Sequence, residues 1–323
     1  MNVVSGTATA GKGRAVSGTN PLGSNLADLV FKYLTALFAA GVLLLVVLMG
    51  YEMYRGAEVA IEKFGWTFFA ESNWDPVLEE YGALPFVFGT IVSSFLALVI
   101  SLPLSIGVAV FLSEIAPAWF ERPLSFLVEL LAGIPSIIYG LWGIFVLVPW
   151  IRTSIEPFLS DNLGFLPFFR GAPYGFGMLS AGIILSIMVL PIITSISRDV
   201  LKAVPRAQRE AALAIGATKW ETIRIILSDA RSGIFGATLL GLGRAIGETM
   251  AVTMVIGNRP SISFSLFDPG YTMASVLANE FTEATSDMYI SALIYVALLL
   301  FAITIVVNMF ARILVWSVTK KAG

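Results

Sequence analysis

The stretch PRAQREAALAIGATKWETIRIILS, Pro205–Ser228, decides how the rest of the chain is read, because it is the most polar interruption between two long apolar runs. Pro205 suits the first turn of a helix, Arg206 to Ile215 contain good helix formers, and Gly216 stands where a left-handed stop belongs. Thr218 and Glu221 have capping-box spacing, so a second helix starts almost at once. The pattern predicts helix, tight glycine turn, helix, carrying Glu210, Ala211, Ala212 and Gly216 on the water side of a membrane protein.

Composition supports that setting. The chain is 57% hydrophobic and only 13% charged, far from the balance of a soluble domain. A net charge of -2 gives no reason to expect nucleic acid as a partner. The absence of Cys excludes disulfides, thiolate metal sites and a cysteine nucleophile, and the absence of His removes the commonest acid-base group and metal ligand. Both absences point away from an enzyme. Gly11-Lys12 sits in a Gly/Ser-rich tail without the spacing of a phosphate-binding loop, so if ATP drives anything here, another chain must hydrolyse it.

Residues 1–25 read as a disordered tail, 26–83 as a first span with an interfacial segment, and 84–317 as a core containing the polar segment 198–231. Six spans are expected: Tyr33–Gly50, Tyr81–Ser113 bent at Pro103, Pro123–Trp150 interrupted by Glu129 and Pro135, Gly171–Ser197, Ser232–Asn258 and Met288–Ala311. Between the first two, Phe64, Trp66, Phe68, Phe69 and Trp74 read as anchors at the headgroup level. Six crossings put both termini on one side. Of the 20 Lys and Arg, fourteen fall on that side, five on the other, and Arg244 lies within the fifth span. The bias assigns the termini and the polar elbow to the cytoplasm.

The fifth span carries the chemistry. In GLGRAIGET, Gly241–Thr249, a continuous helix would set Arg244 and Glu248 about 40° apart on one face, close enough to pair, with Gly236, Gly243 and Gly247 on an adjacent stripe that lets another helix approach. A mid-membrane charge costs roughly 2.5–3.5 kcal/mol on insertion scales. Two readings stand: a self-satisfied pair that fastens helices, or an oxyanion pathway in which Arg244 offers planar donors and Glu248 accepts from a protonated phosphate. Ser136, Thr249 and Thr253, with Ser93 and Ser94, either line a polar route or bond within the helices. Glu129 is a further candidate, or a helix end in cytoplasmic water. Pro135 frees a backbone carbonyl, tolerable only against protein or water.

The segment Glu210-Ala211-Ala212, three residues, then Gly216 resembles the coupling motif of binding-protein-dependent ABC importer permeases, although Ser228 and Asp229 stand where Leu-Pro is usual. LLAGIPSIIYGLWG (Leu130–Gly143), GLGRAIGETMAVTMVIGN (Gly241–Asn258), Tyr81–Leu84, Ser275–Ala284 and the GATKWE run resemble PstC-type permeases of phosphate-specific importers. The resemblance implies an all-α integral membrane protein of the type I importer (MetI-like) fold, multi-pass in a bacterial inner membrane. It implies docking of an ATPase on Glu210, Ala211, Ala212, Gly216, Ala217, Thr218, Lys219 and Trp220, and transport of inorganic phosphate. The implied partners are a PstA-like sister permease, two ATPase subunits that use ATP and Mg, a periplasmic phosphate-binding protein and membrane lipid. No cofactor is expected on this chain. A same-fold permease for another oxyanion and an ATPase-independent secondary transporter are the alternatives.

Overall fold

The computed structural model describes residues 21–320, most of them helical. Among these, six helices are long and apolar enough to cross a membrane: Leu26–Gly56, Leu84–Ile115, Ser136–Leu163, Met178–Ala203, Lys219–Ile246 and Asp287–Ile313. The number agrees with the expectation; several boundaries do not. Packing divides the chain after Tyr51 into two compact units. The first is the bulk of α1 (Pro21–Gly56), an apolar helix exposed nearly throughout its described length. Most of the expected tail lies outside the described residues, and its last residues, from Pro21, are helical.

The second unit opens with α2 (Glu58–Phe64), a 3-10 turn (Gly65–Phe69) and a small hairpin, β1 (Trp74–Asp75) paired antiparallel with β2 (Glu80–Tyr81). The aromatic residues here are not chiefly surface anchors. Phe68 and Trp74 are buried, and Phe68 stacks on Tyr295 with ring centroids 4.3 Å apart. Only Trp66, 87% exposed, keeps the exposure that an anchor requires. Lipid interfaces and protein cores both favour aromatic rings, and here a tertiary partner supplied the core. The Trp74 indole and the Tyr289 hydroxyl both donate to Glu280, each at 2.7 Å, which ties the hairpin to the last spanning helix.

The centre of the bundle is α8 (Met178–Ala203), the most enclosed of the six spans, packed along α3 (Leu84–Val110) and α10 (Lys219–Ile246). Small residues permit this approach. Leu96 of α3 occupies the place of a side chain at Gly182, and a Cβ on Gly241 of α10 would stand 2.7 Å from Val189 and 2.8 Å from Ile193. A π-helical turn, Phe111–Ile115, extends α3.

The third span starts later than expected. Ala118–Ala132 forms a separate helix, α4, and the chain breaks at Gly133–Pro135 before α5 (Ser136–Trp142). α5, α6 (Val148–Trp150) and α7 (Glu156–Leu163) then run on through two π-helical segments as the span itself. The carbonyl of Leu131, four residues before Pro135, accepts from the Tyr139 hydroxyl at 2.8 Å, so the freed group is satisfied by protein. Glu129 sits on α4, not within a span, and pairs with Arg198 at 2.9 Å. Ser93 and Ser94 are buried inside the bundle.

The fifth span differs most. A single 28-residue helix, α10, runs from the elbow to Ile246, about 42 Å at 1.5 Å per residue. Ser228 and Asp229 are exposed positions inside it; a proline at 229 would have removed a helical hydrogen bond there, and its absence lets the elbow and the span be one rod. The helix stops before Asn258. After Gly247–Thr249 comes a short α11 (Met250–Val255), then a loop, α12 (Met273–Glu280) and α13 (Asp287–Lys320).

Candidate functional site

The candidate residues gather at two places in the fold. The first is the elbow between α9 (Arg206–Ala214) and α10. Pro205 is the N-cap of α9, one residue earlier than the first turn. At the other end Ala217 N–H donates to Ala212 O at 3.1 Å and Gly216 N–H to Leu213 O at 3.0 Å, the paired bonds of a Schellman stop, with Gly216 at φ +87°. Thr218 and Glu221 then form the expected capping box. The local grammar was therefore legible. Glu210, Ala211, Gly216, Thr218, Lys219 and Trp220 are exposed, Ala217 is half-buried and Ala212 is buried against its own fold. Ile215 (84% exposed) and Trp220 (72%) leave an apolar surface open at the tip.

What the elbow rests on was not legible. The Arg209 guanidinium donates to both oxygens of Glu114, at 2.9 and 3.1 Å, and to the carbonyls of Leu201 and Val204. The bond to Glu114 holds the Arg209 proton still more firmly than usual, outweighing the opposing effect of burial. One side chain thus fastens α9 to the π turn after α3 and to the end of α8. Arg198 bonded to Glu129 and Asp199, and Lys202 paired with Glu121, bind α4 to the same end of α8. Glu114 and Arg209 stand 95 residues apart, so no helical spacing announces them.

The second place is the break after α10. Arg244 lies in the last helical turn, where a cation complements the helix dipole, and it is exposed. Glu248 is 8% exposed and lies beyond the end of the helix. The pair drawn on a continuous helix does not form: among the described residues neither side chain has an ion-pair partner. The rotation of 100° per residue that would have aligned them ends at Ile246.

The expected glycine stripe is corrected too. A Cβ on Gly236 or Gly243 would meet nothing within 4 Å, and one on Gly247 only the Gly243 carbonyl at 3.6 Å. The close packing instead uses Gly233 and Gly241, against α8. The uncrowded Gly236 and Gly243 lie on a stripe of α10 adjacent to Arg244. Around it, α11 packs on α5 through Gly140, where a Cβ would lie 3.2 Å from the Cα of Ala251. Thr249 and Thr253 are half-buried on α11 and its N-cap; Thr253 donates to the Thr249 carbonyl at 2.7 Å. Ser136 is the half-buried first residue of α5.

Residues 101–320 match the model of the family described as binding-protein-dependent transport system inner membrane component. The phosphate transport system permease protein PstC of Haemophilus influenzae is 46% identical over 91% of this chain and 95% of its own length. The Xylella fastidiosa protein of the same name is 47% identical, covering 92% and 93%. This chain belongs to the PstC-type permease family. The probable PstC of Methanocaldococcus jannaschii is 39% identical over 86% of this chain and 90% of its own. A solved structure of the MetNI methionine ABC transporter in an inward-facing conformation overlays at a TM-score of 0.48 and 22% identity, covering 71% of this chain and 91% of that one. As a PstC-type permease, the chain places two of the runs quoted above at structural discontinuities: Leu130–Gly143 spans the break before α5, and Gly241–Asn258 spans the break after α10.

Proposed function

We propose that this chain is the membrane-spanning permease subunit of an ATP-driven inorganic phosphate importer. The observation that carries the reading is Arg244: a guanidinium without an ion-pair partner among the described residues, at a break in a spanning helix, in a chain so similar to phosphate permeases. Irregular backbone at membrane depth is tolerated where it is covered by protein or lines water. Arg244 recruits the oxyanion, buried Glu248 favours a protonated phosphate over a fully ionised anion, and Thr249, Thr253 and Ser136 border the route. The open glycine face receives a PstA-like sister permease. Two ATPase subunits, using ATP and Mg, dock on the elbow at Glu210, Ala211, Ala212 and Gly216–Trp220, with Ile215 and Trp220 as apolar contacts. A periplasmic phosphate-binding protein delivers the substrate, both termini face the cytoplasm, and this chain itself holds no cofactor.

Because α10 is one rod from Lys219 to Ile246, closure of the ATPase pair at the elbow is transmitted to Arg244 without an intervening joint. Gly216→Val tests that link. The side chain meets no neighbour, so the effect is confined to the backbone, where a left-handed residue bearing Cβ costs roughly 1–2 kcal/mol. ATP hydrolysed per phosphate imported should rise several-fold; an unchanged ratio would remove the Gly216 stop from coupling.

The decisive experiment is reconstitution with and without the ATPase subunits, following labelled phosphate entry and ATP turnover together. Both should require the whole complex. Phosphate flux without the ATPase would identify a secondary transporter instead, and preferential entry of sulfate or molybdate would reassign the substrate.

A further inference from the structure

At the end of the bundle away from the elbow, the loop between α11 and α12 closes on itself. Gly270 N–H donates to Ile256 O at 3.0 Å, Arg259 N–H to Gly270 O at 3.1 Å, and Ser261 Oγ to Pro269 O at 3.3 Å. Gly257 is left-handed, φ +92°, and a Cβ there would stand 2.7 Å from Pro269. Asn258 is left-handed as well, φ +51°, and its amide donates to Thr253 O at 2.9 Å. The loop is further bonded to the first residues of α8, through Met178 N–H to Asp268 O and Leu179 N–H to Leu266 O. α8 starts at this loop and ends beside Arg209, and its 26 residues separate the loop from the elbow by about 39 Å.

Between this loop and Tyr174 lies a cavity of about 450 Å³ whose wall includes Tyr174, Arg259, Ser261, Ser263 and Asp268. The Arg259 guanidinium has no ion pair among the described residues. By contrast Lys63 pairs with Glu79, and Arg170 donates to the carbonyls of Gly164 and Phe165. One oxygen of Asp268 accepts from Ser263 at 2.6 Å. A second cavity, about 400 Å³, shares Tyr174 and Pro269 with the first and has Asn258 and Thr253 in its wall. The two together lead from Arg259 to the threonine that bonds back towards Thr249, on the Arg244 side of α11.

We propose that the cavity formed by Arg259, Tyr174, Ser261, Ser263 and Asp268 is an outer receiving site for inorganic phosphate, occupied before the anion reaches Arg244; this rests on the phosphate-import reading above. The chemistry is selective. The unpaired guanidinium and the Tyr174 hydroxyl supply donors to the oxyanion, while the Ser261 and Ser263 protons are engaged by Pro269 O and Asp268. The Asp268 carboxylate accepts from a phosphate hydroxyl, which phosphate retains at neutral pH and sulfate lacks, and it repels an anion with no proton to give. The backbone bonds of Arg259 and Gly270 hold this wall of the cavity in place without a ligand, which lowers the ordering cost of binding.

The chain has no cysteine, so a single reporter, Ile262→Cys, can be placed on the cavity wall of the full complex in nanodiscs and its thiol labelling followed on this chain by mass spectrometry. Millimolar inorganic phosphate should slow labelling at least threefold, with sulfate at matched ionic strength without effect. Arg259→Gln, in a complex that retains its partner chains and melting temperature, should abolish the protection and lower phosphate uptake about tenfold. Asp268→Asn should let sulfate protect. Labelling indifferent to phosphate, or full protection retained in Arg259→Gln, overturns the site. Protection that follows anionic lipid rather than added phosphate assigns the cavity to a headgroup and also overturns it. If the unaltered complex imports phosphate while protection is absent, only the receiving site fails; if it imports none, the import reading fails.

Discussion

Arg244→Gln is expected to reduce uptake of labelled phosphate about a hundredfold in complexes that assemble in normal yield. The size follows from the interaction removed: hydrogen bonds to charged groups contribute about 1.5–3 kcal/mol each, and about 2.7 kcal/mol is a hundredfold. The glutamine keeps a donor and much of the volume, so packing is disturbed little. The direction follows from Arg244 being exposed and without an ion-pair partner among the described residues. A pair that merely fastened helices would have satisfied Arg244 within the chain, and its loss would show first as lost assembly. Arg244→Lys should retain part of the uptake, because the charge survives without the planar fork. Uptake at the unaltered rate in an assembled Arg244→Gln complex would remove this residue from the route.

Arg209→Met should separate ATP turnover from transport. The substitution leaves the Glu114 carboxylate, whose side chain is 10% exposed, without its partner and releases the carbonyls of Leu201 and Val204. Breaking a buried ion pair costs about 3–5 kcal/mol and an exposed one about 1 or less; this pair, with Arg209 20% exposed, lies between them. The loss falls where α9, α8 and the end of α3 meet, so the elbow can still receive the ATPase while moving independently of the helices behind it. ATP hydrolysis should persist, uptake should drop at least tenfold, and the reversed pair Glu114→Arg with Arg209→Glu should recover part of the coupling. An unaltered ratio of ATP to phosphate would show that the fork is not in the transmission path.

These expectations draw on information of different range. The Gly216 stop and the Thr218–Glu221 box were readable because every partner lies within five residues, and local hydrogen bonding decides the outcome. The number of spans was readable because the cost of exposing backbone to lipid forces long apolar helices whatever they pack against. The Arg244–Glu248 pair was misjudged for a related reason. Periodicity describes a helix that continues, and this one ends between the two residues. Hydropathy likewise merged α4 with the span that follows, since an apolar helix lying against α8 and a membrane-crossing one have similar composition.

By itself, then, the sequence determined that this is a six-span membrane protein with a rigid helical elbow and an arginine in its fifth span, because short-range bonding and lipid burial leave few other solutions. Only the tertiary structure decided that Arg209 grips Glu114, that Phe68 and Trp74 belong to a core, that Gly233 and Gly241 rather than Gly236, Gly243 and Gly247 carry close packing, and that Arg259 opens onto a polar cavity. Each depends on which distant segment arrives at a given face, and a linear spacing rule carries no information about that.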